Sequence, residues 1–302
     1  MLNNNFHIPQ IIIISGATAS GKSKVALEIA QKFNGAIINA DALQIYRELP
    51  ILSAQPTYED QKIAPHFLYG THAGSDKMSV AIWLSLVEKK VQKLLSQNQL
   101  PIIVGGTGMY ISRLIDGINY IPEIQESYRV EAQQLFDKIG LQKFQELYGN
   151  SKIIDKQKLL RRAEILMQTG HDIEYFLQQP PQKILADCQI IHLNLNPPRE
   201  IIYQNCNKRF SEMLKIGALE EAENSLRSPD FSQEFSYTKT LGFYEISKYL
   251  SQQISREQMI QIATQKTRNY AKRQLTWFRH QFKDIKFFEN SSDLTSFLNL
   301  YK

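Results

Sequence analysis

A glycine-rich loop near the start of the chain has the pattern G-x-x-x-x-G-K-S/T of a phosphate-binding loop, or P-loop. Its residues are Gly16, Ala17, Thr18, Ala19, Ser20, Gly21, Lys22 and Ser23. The glycines of such a loop let backbone N–H groups turn toward an anion at the start of the next helix. The lysine adds charge beside the terminal phosphate, and the serine hydroxyl ligates Mg²⁺. The motif predicts a di- or triphosphate site; the alternative is a chance match on a glycine turn.

A carboxylate follows the next β-branched run of the sequence. Asp41 comes directly after the segment 37–40, Ile-Ile-Asn-Ala. Ligands of an open α/β sheet bind beyond the carboxyl ends of strands, so we expect Asp41 near the P-loop. There it would serve as a general base or an indirect magnesium partner. The alternative is a helix N-cap, because aspartate favours that position and residues 42–47 are compatible with a helix.

A second glycine cluster, Gly105-Gly106-Thr107-Gly108, follows the short apolar run 102–104. Glycines at this edge of a sheet let the backbone approach a ligand closely, and the Thr107 hydroxyl could donate to it. A plain strand-to-helix turn has the same composition. The cluster alone therefore leaves both interpretations open.

Residues 257–280 contain neither proline nor glycine and are predicted to form one long helix. At about 100° per residue, three cations share one side of this helix. They are Arg268, Lys272 and Arg279. The residues predicted to pack on the core are Met259, Ala263, Tyr270 and Trp277. A row of cations suits contact with a nucleic-acid backbone, and a solvated helix face is the alternative.

The elements that must position these residues follow the alternation of a parallel sheet covered by helices. The predicted strands are 11–14, 36–39, 102–104 and 190–193, and the first predicted helices are 22–33 and 79–95. Residues from about 120 to 185 have a helical pattern without a convincing strand. The fold class is therefore α/β, with a helical insertion into a parallel-sheet core.

The composition is that of an ordinary globular protein. The chain has 302 residues, with 43% hydrophobic and 22% charged, enough for about two domains. Two cysteines exclude a disulfide scaffold and a cysteine-only zinc site, and fit a reducing cytosol. The sequence contains no apolar run long enough for a membrane span, which predicts a protein without a membrane partner. The net charge of +5 permits a nucleic-acid partner without requiring one.

Taken together, four segments resemble the tRNA dimethylallyltransferases in sequence, order and spacing. They are 16–23, 38–46, 105–111 and 270–279. The resemblance implies a P-loop NTPase-like core at 1–118 and 186–302, and a helical insertion domain at 119–185 that closes over the tRNA anticodon arm. It also implies transfer of a dimethylallyl group from dimethylallyl diphosphate to the N6 amine of adenine at tRNA position 37. We expect Mg²⁺ as cofactor and a cytoplasmic monomer.

The same resemblance assigns roles to individual residues. Asp41 would accept the proton of the adenine amine, Thr18 would reach the bridging oxygen of the diphosphate, and Arg209 would contact the diphosphate. The whole P-loop would hold the diphosphate, with Mg²⁺ on Ser23. The residues assigned to tRNA are Asp41, Ala42, Leu43, Gln44, Thr107, Lys239, Thr240, Leu241, Gly242, Lys272, Arg273, Gln274, Trp277 and Arg279.

Some positions depart from the family pattern. Ala42 stands where the family has serine, Gln55 where lysine is common, and Gly242-Phe243-Tyr244-Glu245 where it has Gly-Tyr-Lys-Glu. The zinc-finger tail of eukaryotic members is absent, which predicts a bacterial short form. Two alternatives remain at the level of the sequence. One is a kinase on the same P-loop core, and the other is a tRNA-binding paralogue without catalysis.

Overall fold

The computed structural model describes residues 9–149, 153, 155–282 and 285–299. It separates into two compact units. The core unit comprises Met1–Ile115 and Ile184–Lys302, and the insertion unit comprises Asp116–Lys183. None of the described helices combines the length and the apolar character that a membrane span needs.

The core unit contains a six-stranded sheet in the order β3-β2-β4-β1-β5-β6, and every pair of neighbouring strands is parallel. The strands are β1 Gln10–Gly16, β2 Gly35–Asn39, β3 His66–Phe67, β4 Leu100–Gly105, β5 Gln189–Leu195 and β6 Lys286–Phe288. The predicted α/β fold with a parallel sheet is confirmed. Two short edge strands, β3 and β6, were not predicted.

Helices cover the sheet and build the rest of the chain. They are α1 Lys22–Lys32, α2 Tyr58–Ile63, α3 Val80–Ser96, α4 Gly108–Asp116, α5 Glu126–Tyr148, α6 Lys156–Thr169, α7 Ile173–Leu177, α8 Arg199–Lys215, α9 Ala218–Leu226, α10 Phe243–Leu250, α11 Arg256–Gln281 and α12 Ser291–Asn299. A short 3-10 turn spans Ser236–Lys239. The predicted strands and helices of the core all occur, with ends shifted by a few residues.

The central strands are apolar on both faces because helices cover both. Ile11, Ile13 and Ile14 of β1 are fully buried, and β2 and β4 are almost entirely buried as well. Continuous runs of isoleucine and valine are typical of parallel strands in this setting. Since β1, β2 and β4 are neighbours and run the same way, the loops that follow them meet at one edge of the sheet. Those loops carry the P-loop, Asp41 and the second glycine cluster.

The regular elements among the described residues of the insertion unit are the helices α5, α6 and α7, as the helical pattern from 120 to 185 predicts. Helix α5 is broken at Gly140, which has a φ of +76°. Its two halves pack with α6 around Phe144 and Leu159, both fully buried. Ile118 forms an isolated antiparallel bridge with Gln182, which ties the two ends of the insertion together.

Candidate active site

The P-loop connects β1 to α1 and leaves the start of that helix open. Gly21 occupies the N-cap position of α1 with a φ of +92°, and no side chain caps the helix. The first N–H groups of an α-helix have no partner within it, so an anion at this position satisfies them. Lys22 folds back over the loop, and its Nζ donates to the Ala17 carbonyl at 3.2 Å. The arrangement is that of an anion cradle.

Lys22 sits in an environment that disfavours its charge. Burial lowers its pKa from 10.5 to about 8; the charge of Arg209 lowers it too, and that of Asp41 opposes the shift. Burial of two cations side by side is costly unless an anion joins them. The electrostatics of the loop therefore favour an anionic ligand.

Arg209 reaches the P-loop from α8. Its Nη2 donates to Thr18 Oγ1 at 2.6 Å, and burial lowers the pKa of the guanidinium. An arginine remains charged in this pH range, so it presents a fixed cation to the cradle. Of the predicted catalytic residues, Arg209 and Thr18 are thus in direct contact.

Asp41 lies just beyond the end of β2, where the sequence places it. Its backbone N–H donates to Asn39 Oδ1 at 2.8 Å, and its Oδ1 accepts from the Leu43 N–H at 3.0 Å. The second bond closes a turn over two residues, and no helix follows across residues 42–47. The helix N-cap alternative for Asp41 is therefore wrong. The carboxylate is only partly buried and remains open to the neighbouring cavity.

The second glycine cluster holds the Asp41 loop in place. The Thr107 N–H donates to the Ala40 carbonyl at 3.2 Å, and Thr107 Oγ1 accepts from the Ala42 N–H at 3.0 Å. A Cβ on Gly105 would lie 2.0 Å from the Ala40 oxygen, so only glycine fits there. The Thr107 hydroxyl oxygen thus accepts a hydrogen bond from within the protein, from the Ala42 N–H.

Gln44 is fixed by the loop that faces it. Its Nε2 donates to the carbonyls of Ser53 and Ala54, each at 2.8 Å. That loop is held in turn by Glu221 of α9, whose carboxylate accepts the N–H groups of residues 51 and 52 at 2.6 and 2.9 Å. Since both carbonyl contacts use the amide nitrogen, the oxygen of Gln44 is the atom left for a ligand.

Two cavities meet at the Asp41 carboxylate. We call the larger one, of about 440 Å³, the outer cavity, and the smaller one, of about 50 Å³, the inner cavity. The outer cavity is lined in part by Lys22, Ser23, Lys24, Gln44, Lys208 and Glu212. The inner cavity is lined in part by Leu43, Leu52, Phe210, Met213, Leu241 and Tyr270. Thr18, Asp41, Ser53 and Arg209 line both.

The long helix α11 supplies residues to several places. Met259 and Ala263 are fully buried, as predicted. Tyr270 is only partly buried and lines the inner cavity, and burial raises its pKa to about 12. Arg268 donates to Asn207 Oδ1 and Gln265 Oε1, each at 2.6 Å, so its guanidinium is engaged within the protein.

The other α11 residues assigned to tRNA differ in exposure. Lys272 and Arg279 are exposed and line a small cavity beside α8. Arg273 is exposed, and its guanidinium carbon lies 5.6 Å from the Tyr270 ring centroid. Trp277 is partly buried, with its indole so close to Gly108 that a Cβ there would lie 2.2 Å away. Gln274 is buried, and both ends of its amide bond within the protein.

The segment 239–242 lies between the 3-10 turn and α10. Lys239 is exposed, whereas Thr240 and Leu241 line the inner cavity. Gly242 occupies the N-cap position of α10 with a φ of +92°. Of the residues 239–242 that the resemblance assigns to tRNA, Lys239 therefore lies at the surface, and Thr240 and Leu241 lie in the cavity wall.

Sequence reasoning missed most of the inner-cavity wall. Cys206, Phe210 and Met213 lie on the same side of α8 as Arg209, at the three- and four-residue spacing of one helix face. That spacing beside Arg209 is the signal that could have identified them.

The oxygen ligands suit a magnesium ion bound together with phosphates. The described residues contain no group of three or more His, Cys, Asp or Glu side chains that could hold a metal by themselves. Ser23 and Asp41 both line the outer cavity and offer oxygen atoms. Mg²⁺ commonly takes only one or two protein ligands when phosphates supply others.

Comparisons with known proteins agree with this geometry. The sequence profile of the IPP transferase family matches residues 44–281. A tRNA dimethylallyltransferase from Ehrlichia chaffeensis is 40% identical over 292 residues, which cover 94% of this chain and 95% of that protein. A tRNA dimethylallyltransferase from Zymomonas mobilis is 37% identical over 286 residues, covering 93% and 91%.

Solved structures match over nearly the whole chain. A tRNA isopentenylpyrophosphate transferase from Bacillus halodurans superposes with a TM-score of 0.70 at 25% identity, covering 97% of this chain and 96% of that one. A eukaryotic dimethylallyltransferase shares the fold, with a TM-score of 0.77 at 24% identity, over 96% of this chain and 75% of that one. The resemblance found in the sequence is confirmed: the chain belongs to the IPP transferase family.

Proposed function

We propose that this chain transfers a dimethylallyl group from dimethylallyl diphosphate to the N6 amine of adenine at tRNA position 37, with release of diphosphate. One observation carries the proposal. A carboxylate, Asp41, and an anion cradle with Thr18, Lys22 and Arg209 line the same outer cavity. A base and a leaving-group site next to each other are what attack by an amine on a prenyl diphosphate requires.

The cradle acts on the leaving group. The bond from the prenyl carbon to the bridging oxygen breaks, and negative charge develops on the diphosphate. The α1 N–H groups, Lys22 and Arg209 stabilise that charge, which is the usual effect of fixed dipoles and cations in an active site. Thr18, whose Oγ1 accepts a hydrogen bond from Arg209 at 2.6 Å, donates its hydroxyl hydrogen to the bridging oxygen.

Asp41 acts on the nucleophile. The adenine amine is a weak nucleophile because its lone pair is delocalised into the ring. Asp41 accepts an amine proton as the new N–C bond forms, a role that typically contributes 10²–10⁴-fold. The base must leave the anticodon-loop stack to reach a carboxylate in a cavity. Ala42, Leu43 and the oxygen of Gln44 lie beside Asp41, and they hold the adenine base next to the carboxylate.

Mg²⁺ would be held by Ser23 together with diphosphate oxygens, with Asp41 close by. When bound, it neutralises part of the charge on the leaving group. The dimethylallyl group lies against the apolar side chains of the inner cavity, such as Leu241 and Phe210, and these side chains keep water from the reacting carbon.

The tRNA is contacted by exposed basic residues of the core unit, and the helical insertion closes over its anticodon arm. The basic residues are Lys239, Lys272, Arg273 and Arg279, with Trp277, Thr107, Thr240 and Gly242 contributing near the base, whereas Leu241 lines the inner cavity. The chain acts as a monomer.

The decisive experiment incubates the protein with tRNA, dimethylallyl diphosphate and Mg²⁺, followed by mass spectrometry of the nucleosides. We expect adenosine heavier by one five-carbon unit, and its absence would contradict the proposal. Asp41→Ala should abolish transfer and still bind tRNA; Asp230→Ala, at an exposed aspartate, is the matched control. Phosphoryl transfer from ATP would identify a kinase instead, and tRNA binding without prenyl transfer a non-catalytic paralogue.

A further inference from the structure

The side chain of Gln274 joins two loops that are far apart in the sequence. It is only 7% exposed. Its Oε1 accepts from the Thr18 N–H of the P-loop at 2.8 Å, and its Nε2 donates to the Gly106 carbonyl of the second glycine cluster at 2.8 Å. The amide is therefore used at both ends, as donor and as acceptor.

The amide lies directly against the backbone of the second glycine cluster. A Cβ on Gly106 would lie 2.5 Å from Gln274 Nε2 and 3.2 Å from the Gly16 carbonyl oxygen. A side chain at position 106 would therefore push the glutamine amide out of its place. This gives a physical reason for a motif that the sequence left ambiguous.

The hydrogen bonds continue from the amide in both directions. On one side, Thr18 is fixed through its N–H by Gln274 and through its hydroxyl by Arg209. On the other side, Thr107, next to Gly106, bonds the residues before and after Asp41. One side chain consequently links the loop of the leaving group to the loop of the base.

We propose that Gln274 is a positioning residue that sets the separation between Asp41 and Thr18. This rests on the proposed function and replaces the sequence-based assignment of Gln274 to tRNA contact. A neutral amide can make this link because its nitrogen donates while its oxygen accepts. Misplacement of reacting groups by about 1 Å costs about 10²-fold in rate, so the link acts on turnover rather than on tRNA affinity.

The test uses Gln274→Met, which keeps the length but loses both hydrogen bonds, with Gln261→Met on the exposed side of the same helix as the matched control. For Gln274→Met we expect kcat to fall about 10- to 100-fold and the affinity for inorganic pyrophosphate to weaken. The KM for tRNA should change less than about twofold, and Gln261→Met should behave like the unaltered protein. A raised tRNA KM with unchanged kcat would instead establish the tRNA contact and overturn the proposal, as would no change at all.

Gly106→Ala breaks the same link from the other side and should give the same split between kcat and tRNA KM. Calorimetry in the presence of Mg²⁺ measures the binding of pyrophosphate, and this measurement does not depend on prenyl transfer. If the unaltered protein binds pyrophosphate but shows no transfer, the proposed function fails, while weaker pyrophosphate binding by Gln274→Met still supports the link. If neither variant folds, as judged by circular dichroism, the amide serves stability and the positioning role is overturned.

Discussion

The outer and inner cavities share Asp41 but differ in what else surrounds it. Cations converge on the outer cavity, where Lys22, Lys24, Lys208 and Arg209 outnumber Asp41 and Glu212. Large aliphatic and aromatic side chains line only the inner cavity, where they lie among polar groups such as Thr240 and Thr267. The difference separates the two ends of a prenyl diphosphate, because an anionic end and a hydrocarbon end have opposite preferences for solvent and charge.

The two cavities also differ in what holds their walls. The outer cavity depends on hydrogen bonds between distant segments, such as Arg209 to Thr18 and Gln274 to Thr18. The inner cavity depends on packing of buried side chains, including Phe210 and Met213. Substitutions in the first should alter charge and alignment, and those in the second should alter shape.

After the loss of the base in Asp41→Ala, the largest effect is expected from Arg209→Met, which removes a cation common to both cavities. Loss of a fixed donor to developing charge costs about 10²–10³-fold in kcat, and pyrophosphate affinity should fall with it. Steady-state kinetics and calorimetry measure the two effects. Lys208→Met, at an exposed cation of the outer cavity, is the control and should lose far less. Equal losses would mean that general charge, rather than the contact with Thr18, matters.

Filling the inner cavity should lower the rate of prenyl transfer without affecting anion binding in the outer cavity. Leu241→Trp places a large ring in the cavity, and transfer should fall about 10- to 100-fold, the range over which pockets discriminate by size. The affinity for pyrophosphate should not change, since the cradle is intact. Leu241→Ile keeps the volume and is the control. A change confined to tRNA affinity would instead support the assignment of Leu241 to tRNA.

Local sequence patterns were sufficient for the sheet and the cradle. Isoleucine runs predict β1 and β2, and the P-loop motif places Lys22 and Ser23 at the start of α1, as the structure has them. The edge strands β3 and β6 have only two and three residues, too few for a periodic pattern. Such strands are set by their neighbours in the sheet rather than by their own sequence.

The periodicity of the sequence does not predict contacts between residues that are far apart along the chain. The helical pattern placed Tyr270 on the apolar side of α11, but a wall of a cavity and a core face have the same composition. Gln274 was assigned to tRNA, although its amide bonds with Thr18 and Gly106. These bonds join residues from separate elements, and only the fold brings them together.

The outer cavity should lose its anion affinity at a lower pH than an ordinary lysine site does. Burial lowers the pKa of Lys22 to about 8, so the ligand-free protein loses this charge as the pH rises through 8. Pyrophosphate affinity should weaken about tenfold between pH 7 and 9.5, the value of one charge-assisted hydrogen bond. Calorimetry across this range measures it. The same measurement on Lys22→Met gives the contribution from titration of pyrophosphate itself. If the affinity of this variant fell with pH as steeply as that of the unaltered protein, the pH dependence would not come from Lys22.

The smallest effect is expected from Tyr270→Phe, which tests whether the inner cavity uses its one phenol. Burial raises the pKa of Tyr270 to about 12, so the hydroxyl is protonated at neutral pH and can donate a neutral hydrogen bond. Such a bond contributes about 0.5–1.5 kcal/mol, and its loss should lower kcat/KM for dimethylallyl diphosphate by about two- to tenfold. Pyrophosphate affinity should change less than it does in Gln274→Met, because Tyr270→Phe removes only the contact of the phenol with the Gln274 amide and leaves that amide in place. A pyrophosphate affinity as weak as that of Gln274→Met would show that Tyr270 acts on the outer cavity, and the separation of the two cavities would then be less sharp than their linings indicate.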